Sequence, residues 1–308
     1  MKVTVVGAGN VGATCAQRIA ENSIADVYLV DVLEGLAAGK ALDLAEAAPI
    51  VGHGRRITGG TDYGPAEGSD LVVITAGIAR KPGMSRDDLL ATNGRIISEV
   101  VTNVMAHAPE AILLMVSNPL DVTTYIAQQV SGHPRERVFG MAGVLDTARF
   151  RTFIAMELDC SPEDVTAMVL GGHGDSMVPL PRHSTVSGIP VTELIPEDRL
   201  ASIVQRTRDG GAEIVGLLKT GSAFYAPGAA VTQMVASILR DEKRILPTCV
   251  QLTGEYGLDD VFVGVPAKLG KNGIEQIIEL DLNDEEADAL RKSADAVRET
   301  VNAWKAMG

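Results

Sequence analysis

Lys2–Asp31, KVTVVGAGNVGATCAQRIAENSIADVYLVD, is the stretch whose reading decides the fold. Val3, Val5 and Val6 form a short β-branched run suited to a buried strand. Gly7, Gly9 and Gly12 follow at G-x-G-x-x-G spacing, with Ala8, Asn10 and Val11 between them. Val11, Cys15 and Ile19 then recur every four residues, which places them on one helical face. Ala25–Val30 reads as a second apolar strand, closed by Asp31. In such a unit the first glycine permits the tight turn and the second lets a pyrophosphate approach the backbone. The third lets helix pack on strand. The helix N-terminus offers unpaired N–H groups and partial positive charge to phosphates. Asp31, about 20 residues past the glycines, suits an adenosine ribose diol and would repel a 2′-phosphate. The stretch therefore points to NAD rather than NADP, against the plain alternative of a structural glycine turn.

The rest of the first half alternates in the same way. EGLAAGKALDLAEAA reads as a helix with Leu36, Leu42 and Leu44 among alanines, and Arg56–Thr58 as a short strand. LVVIT from Leu71 and AILLMV from Ala111 read as buried strands, and Val138-Phe139 as the last of this half. Between them a loop from Ile78, broken by Pro82-Gly83, leads into a helix through Ile96, Ile97 and Val100. Strands alternating with helices imply a parallel sheet, with ligands beyond the carboxyl ends of the strands.

From Ala142 the pattern changes. A helix through Val144–Leu158 precedes a strand-like run from Val165 to Leu170 and then GGHGDS. Helical stretches follow at 196–218 and 226–239. Three strand-like runs come next, ILPTCVQL, DVFVGVPAKLG and GIEQIIEL, and Lys271-Asn272-Gly273 marks a hairpin turn between the last two. Asn283 and Glu286 make a capping box for a final helix with the stripe Ala287, Leu290, Ala294, Val297, Val301 and Trp304. The expected architecture is α/β: a Rossmann-type doubly wound parallel sheet in residues 1–142, then a mixed α+β domain in residues 143–308.

The totals narrow the class. A chain of 308 residues exceeds the size at which one core usually stops growing. A net charge of −13 and a pI near 4.8 argue against a nucleic-acid surface. The acidic, lysine-poor balance suits either high salt or a compositional bias of the genome. Cys15, Cys160 and Cys249 are far apart and odd in number, which argues against a disulfide framework and a metal site. The chain enters a strand at its start without a basic leader, and no apolar run approaches ~18 residues. A cytoplasmic protein with no membrane partner is expected.

Five histidines are candidates for acid–base work. His53, His107 and His133 lie in polar or turn-like contexts and are expected at solvent, and His183 in packing or at solvent. His173 differs because Gly171, Gly172 and Gly174 surround it, which leaves room for a ligand beside the imidazole. It is either the acid–base group or a histidine in a glycine turn. Asp146 and Arg149, three apart, share a helical face. They form either a surface ion pair or an acid that orients an imidazole beside a guanidinium that holds a carboxylate. Arg80 and Arg86 are either solvated loop charges or a pair that closes over an anion. Asn118 either serves its turn or hydrogen-bonds a substrate oxygen.

Taken together, VVGAGNVG, VITAGIARKPGMSR, VSNPLD, GVLDTARF and GGHGDSMVP resemble the lactate/malate dehydrogenase family over essentially the whole chain. The likeness is to its malate-specific members with lactate-dehydrogenase-like sequences. Arg80 is decisive, since lactate-specific members typically carry glutamine there. The resemblance implies reversible NAD-dependent oxidation of (S)-malate to oxaloacetate, a step of the tricarboxylic acid cycle. L-lactate or another 2-hydroxy acid is the alternative substrate. It implies His173 as general acid–base with Asp146 as its partner, and Arg149 on the carboxylate beside the reacting carbon. It gives Arg80 the distal carboxylate, Arg86 the carbonyl, and Asn118 the substrate oxygen. NAD would be lined by Gly7, Ala8, Gly9, Asn10, Val11, Gly12, Asp31, Asn93, Val116, Ser117 and Asn118. A cis Asn118–Pro119 peptide and a homo-oligomer, tetramer ahead of dimer, are also implied. Two readings from other classes remain: an NAD-using glycosidase, which would want Cys and His metal ligands, and an inert NAD-binding protein.

Overall fold

A computed structural model describes residues 1–78 and 85–307. In its first half β1 (Lys2–Val6), α1 (Asn10–Glu21), β2 (Asp26–Val30), α2 (Leu36–Val51) and β3 (Ile57–Gly60) are followed by β4 (Leu71–Ile74) and α3 (Arg86–His107). β5 (Ile112–Met115), α4 (Leu120–Ser131) and β6 (Val138–Gly140) complete it. These six strands are parallel in the order β3-β2-β1-β4-β5-β6, so the order reverses between β1 and β4. The crevice at that reversal, beyond the strand ends, is where such sheets bind ligands.

α5 (Gly143–Leu158) opens the second half. The strand pairs β7 (Val165–Thr166), β8 (Val169–Leu170), β9 (Val178–Pro179), β10 (Thr185–Val186) and β11 (Ile189–Pro190) follow, then α6 (Val191–Leu194). α7 (Glu197–Leu218), α8 (Tyr225–Leu239), β12 (Arg244–Thr253), β13 (Asp259–Gly270), β14 (Gly273–Ile277) and α9 (Asp284–Ala306) end the chain. The hairpin at Lys271-Asn272-Gly273 and the capping box of α9 form as the sequence indicates.

One feature differs from the sequence reading, and another goes beyond it. The run from Val165 to Leu170 is two strands: β7 pairs with β10, while β8 pairs with β9. The Val169 N–H donates to the Thr147 hydroxyl at 3.1 Å, so the strand ladder is interrupted there. The terminal strands also do not form a sheet of their own. β12, β13 and β14 continue the parallel sheet antiparallel, joined at Cys249 opposite Gly140, to give nine strands. One apolar core accordingly runs through both halves, from Val3 and Leu29 to Phe139, Phe262 and Val301. A second, smaller core lies under α5 and α7 around Phe150, Ile154, Met177 and Leu200. Burial at ~25 cal/mol per Å² of apolar surface drives both.

α9 ties the halves together. Its face of Leu290, Ala294 and Val297 is buried as the spacing indicates, and a Cβ on Gly94 of α3 would strike the Trp304 ring. Among the expected solvent-facing histidines His107 is exposed, whereas His53 and His133 are half-buried. Burial holds His133 below the ordinary histidine value, with the Arg137 charge adding to that.

Arg135 and Glu255 fasten the start of β6 to the end of β12, with guanidinium nitrogens 2.8 and 3.2 Å from the carboxylate. Burial alone would raise the Glu255 carboxyl. The Arg135 hydrogen bonds and the Thr253 N–H outweigh it and hold the carboxyl at about 2. A depressed carboxyl stabilises the fold above its unfolded value of 4.5, and that contribution is lost as pH falls through about 2. Glu255→Gln is therefore expected to cost about 2 kcal/mol at pH 7 and to flatten stability against pH below 4.5, read by denaturant melts. A variant with the wild-type acid profile would remove the pair from this role.

Candidate active site

The glycine turn after β1 is built from close approaches. Gly7 has φ +100°, and a side chain there would meet Thr75 Oγ1 at 2.7 Å and the Ala76 nitrogen at 2.8 Å. A Cβ on Gly12 would fall on the Gly7 carbonyl oxygen, so the third glycine lets α1 close onto β1. Gly9 has nothing within 4 Å of the position its Cβ would take. As N-cap of α1 it supplies no side-chain acceptor, and no acid stands in the first turn, so these N–H groups suit an anion. Asn10 and Val11 open the helix beside it.

Asp31 holds this turn from β2. Its Oδ2 accepts the Ala8 N–H at 2.7 Å and its Oδ1 the Leu33 N–H at 3.0 Å. Lys40 of α2 donates to the Ala8 carbonyl at 2.8 Å. The Ala8 peptide is thus gripped from both sides, and Lys40 is a residue sequence reasoning missed; its only signal was a cation 9 positions after the acid. These residues fit the pyrophosphate and ribose of a dinucleotide.

The far wall of the crevice follows β5. Val116 is half-buried, and Ser117 donates to the carbonyls of Ile74 and Ala76 across the sheet. Asn118 is exposed, ahead of a cis bond to Pro119. Asn93, only 2% exposed, uses its whole amide on backbone. It donates to the Ile78 and Asn118 carbonyls at 3.1 and 2.7 Å and accepts the Ile78 N–H at 2.9 Å. Asn93, expected to line the cofactor, has an amide that joins the two turns bordering the crevice. Arg80 lies outside the described residues, as does the side chain of Arg86, whose backbone begins α3 after the capping box of Ser85 and Asp88.

The turn between β8 and β9 brings His173 to Asp146 of α5. Nδ1 lies 2.9 Å from Asp146 Oδ2, and Arg149 Nη1 donates to Oδ1 at 3.2 Å. Asp146 is 1% exposed, so Asp146 and Arg149 form a buried cluster rather than a surface ion pair. The carboxylate fixes the tautomer with hydrogen on Nδ1, which leaves Nε2 to exchange a proton. Arg149 Nε is buried with no partner, an unspent donor suited to a carboxylate. α7 gives its stem room, since a Cβ on Gly210 would lie 3.1 Å from Arg149 Cδ. Burial pushes the His173 imidazole down; the Asp146 charge and hydrogen bond, joined by the Asp121 charge, more than offset it and hold His173 above 6.5.

A dinucleotide cradle facing an imidazole–carboxylate pair belongs to the class of oxidoreductases that transfer hydride. The comparisons agree in detail. Residues 1–140 match the lactate/malate dehydrogenase NAD binding domain, and residues 143–307 the lactate/malate dehydrogenase alpha/beta C-terminal domain. A malate dehydrogenase of Roseiflexus sp. (strain RS-1) is 56% identical over 306 residues, 99% of either chain. The malate dehydrogenase structure of Salinibacter ruber superposes with a TM-score of 0.96 at 52% identity, covering 100% of this chain and 98% of that one. The Cryptosporidium parvum lactate dehydrogenase, complexed with lactic acid and nicotinamide adenine dinucleotide, also gives 0.96, at 39% identity over 99% and 98% of the two chains. This chain belongs to the lactate/malate dehydrogenase family.

The geometry makes one electrostatic prediction. In an NMR titration the His173 ring is expected to lose its proton above pH 6.5, and in Asp146→Asn to lose it at lower pH, because the raising charge is gone while burial stays. An unmoved titration would show that Asp146 does not govern the imidazole.

Proposed function

We propose that the chain is an NAD-dependent L-malate dehydrogenase that interconverts (S)-malate and oxaloacetate. The buried His173–Asp146 pair beside the unspent Arg149 Nε carries this reading. Full-length likeness to malate dehydrogenases supports the substrate. Bound NAD would supply the hydride acceptor. Gly7, Ala8, Gly9, Asn10, Val11 and Gly12 would hold its pyrophosphate, Asp31 its ribose, and Val116, Ser117 and Asn118 its far end, with Asn93 fixing that wall.

His173 Nε2 takes the hydroxyl proton in malate oxidation and returns it in oxaloacetate reduction. Asp146 keeps the tautomer and stabilises the imidazolium. Arg149 grips the carboxylate beside the reacting carbon, and Asn118 takes the substrate oxygen. On sequence alone Arg80 is assigned the distal carboxylate and Arg86 the carbonyl. Residues 1–142 then serve the cofactor and 143–308 the substrate. We assign the enzyme to the cytoplasm; among the described residues no helix is long and apolar enough to cross a membrane. We assign a homo-oligomer, tetramer ahead of dimer; Leu42 and Ile50 of α2, 61% and 87% exposed, offer apolar surface to a subunit contact.

L-lactate is the second reading, since a lactate dehydrogenase shares the fold. Pyruvate would leave Arg80 without its partner, at a cost of about 2–5 kcal/mol, or at least ~30-fold in specificity. Purified protein is expected to oxidise NADH rapidly with oxaloacetate and far more slowly with pyruvate, and to use NADPH poorly. Arg80→Gln is expected to shift the ratio towards pyruvate. A wild-type preference for pyruvate would overturn the substrate, and an unchanged ratio in the variant would free Arg80 of its role.

A further inference from the structure

The mechanism above leaves one buried acid unused. Asp121, the last residue of SNPLD and the second residue of α4, is buried behind the His173 turn. Its Oδ2 accepts the backbone N–H of His173 at 2.9 Å. The fully buried Cys249 thiol of β12 lies beside the same carboxyl and favours its charged form, and the Thr124 hydroxyl lies beside Cys249. Asp121 Oδ1 is buried without a hydrogen-bond partner. The charged form accepts the His173 N–H, and the imidazolium charge and the Cys249 thiol favour it. Asp121 therefore fits its surroundings as an anion.

Several elements bring charged or polar groups to the imidazole and its turn, α7 among them through Arg208, whose Nε donates to the Met177 carbonyl at 3.2 Å. α5 brings Asp146 and Arg149, α4 brings Asp121, and β12 brings the Cys249 thiol. α9 brings only the Ser293 hydroxyl, which accepts the Gly172 N–H at 2.8 Å, and the Val297 side chain. With His173 protonated, two cations face two carboxylates and the buried cluster is neutral. Without Asp121 the same state would carry a net positive charge in a medium of low dielectric.

Building on the acid–base role of His173, we infer that Asp121 is a positioning residue with two effects. It pins the His173 backbone, and as a second buried carboxylate it sets the pH at which the imidazole changes charge. Burial and the Asp146 charge push the Asp121 carboxyl upward, while the His173 charge and the hydrogen bonds from His173 and Cys249 oppose that shift. Burial prevails, so the carboxyl stands above its ordinary value, and the His173 charge is what most opposes that rise.

The test is kcat/KM for malate against pH, which reports the free enzyme. Wild type is expected to lose activity on the acid side as His173 protonates. Asp121→Asn keeps an acceptor for the N–H but removes the charge, so its acid limb should move to lower pH. At a fixed pH on that limb its fraction of plateau activity should rise roughly threefold or more. Cys249→Ala removes a donor that favours the anion and should move the limb the same way by less. Ser293→Ala loosens the turn without changing charge, and should lower kcat with the limb in place. The inference is overturned if Asp121→Asn leaves the limb unmoved, or if Ser293→Ala moves it equally. Should Asp121→Asn fail to fold, an unmoved limb in Cys249→Ala overturns it as well. A wild type without any acid limb would instead overturn the acid–base role of His173, on which this inference rests.

Discussion

An ionised carboxylate buried to 1% exposure is tolerable only when its charge and lone pairs are met, and Asp146 imposes that condition on the whole second half. Its two oxygens are taken by His173 from the β8–β9 turn and by Arg149 one helical turn along. To deliver the imidazole, the turn must be held against its own glycine-rich freedom. Gly171 does this by exchanging two backbone hydrogen bonds with Gly264 of β13, at 2.9 and 2.8 Å. Asp121 and Ser293 take the next two N–H groups. To leave the Arg149 stem room, α7 passes it as Gly210. The antiparallel extension of the sheet follows from the same need, because it carries Gly264 and Cys249 to the back of the site.

The cofactor end obeys the complementary rule. There the unmet groups are N–H donors at a bare helix start, and the protein holds the surrounding backbone still rather than capping them. Ala8 is fixed between Asp31 and Lys40, while Thr75 donates to the carbonyls of Val6 and Gly7. Each contact removes a motion that binding would otherwise have to freeze, at about 1–2 kcal/mol per ordered residue. One end of the crevice thus offers unspent positive dipoles, and the other an unspent guanidinium donor and a proton-exchanging nitrogen.

What the sequence made legible was local. Gly7 to Gly12, the Asp31 terminus, the cap at Asn283 and the stripe of α9 are periodic or short-range signals that the structure reproduces. Asp146 and Arg149 were visible as neighbours on a helix, although their burial was not. Asp121 stood inside a recognised motif without a role, because its partner is 52 residues away and contributes only a backbone N–H. Ser293 is 121 residues from Gly172 and sits in a stripe that reads as packing. Joining β12 to β6 rests on a single residue pair, and no periodicity reports such a contact. The unsplit reading of Val165 to Leu170 failed for a related reason: an apolar run does not show which partner each half will find.

Substrate choice is separable from all of this. The same fold accommodates a lactate dehydrogenase at a TM-score of 0.96, so neither the sheet nor the turn around His173 discriminates between one carboxylate and two. The discriminating charge must lie outside the shared framework, and Arg80 falls between two fixed points. Ile78 is held by both ends of the Asn93 amide, with Gly77 at φ +146° before it, and Ser85 is held by its capping box with Asp88. Both anchors belong to the first half, away from the Asp146, His173 and Arg149 cluster. A charged side chain there acts by what it loses when unpaired, on the order of 2–5 kcal/mol, which exceeds what a methylene's worth of apolar contact supplies. On the proposed reading, chemistry rests on buried pairs in the second half, and specificity on the Arg80 charge between these anchors.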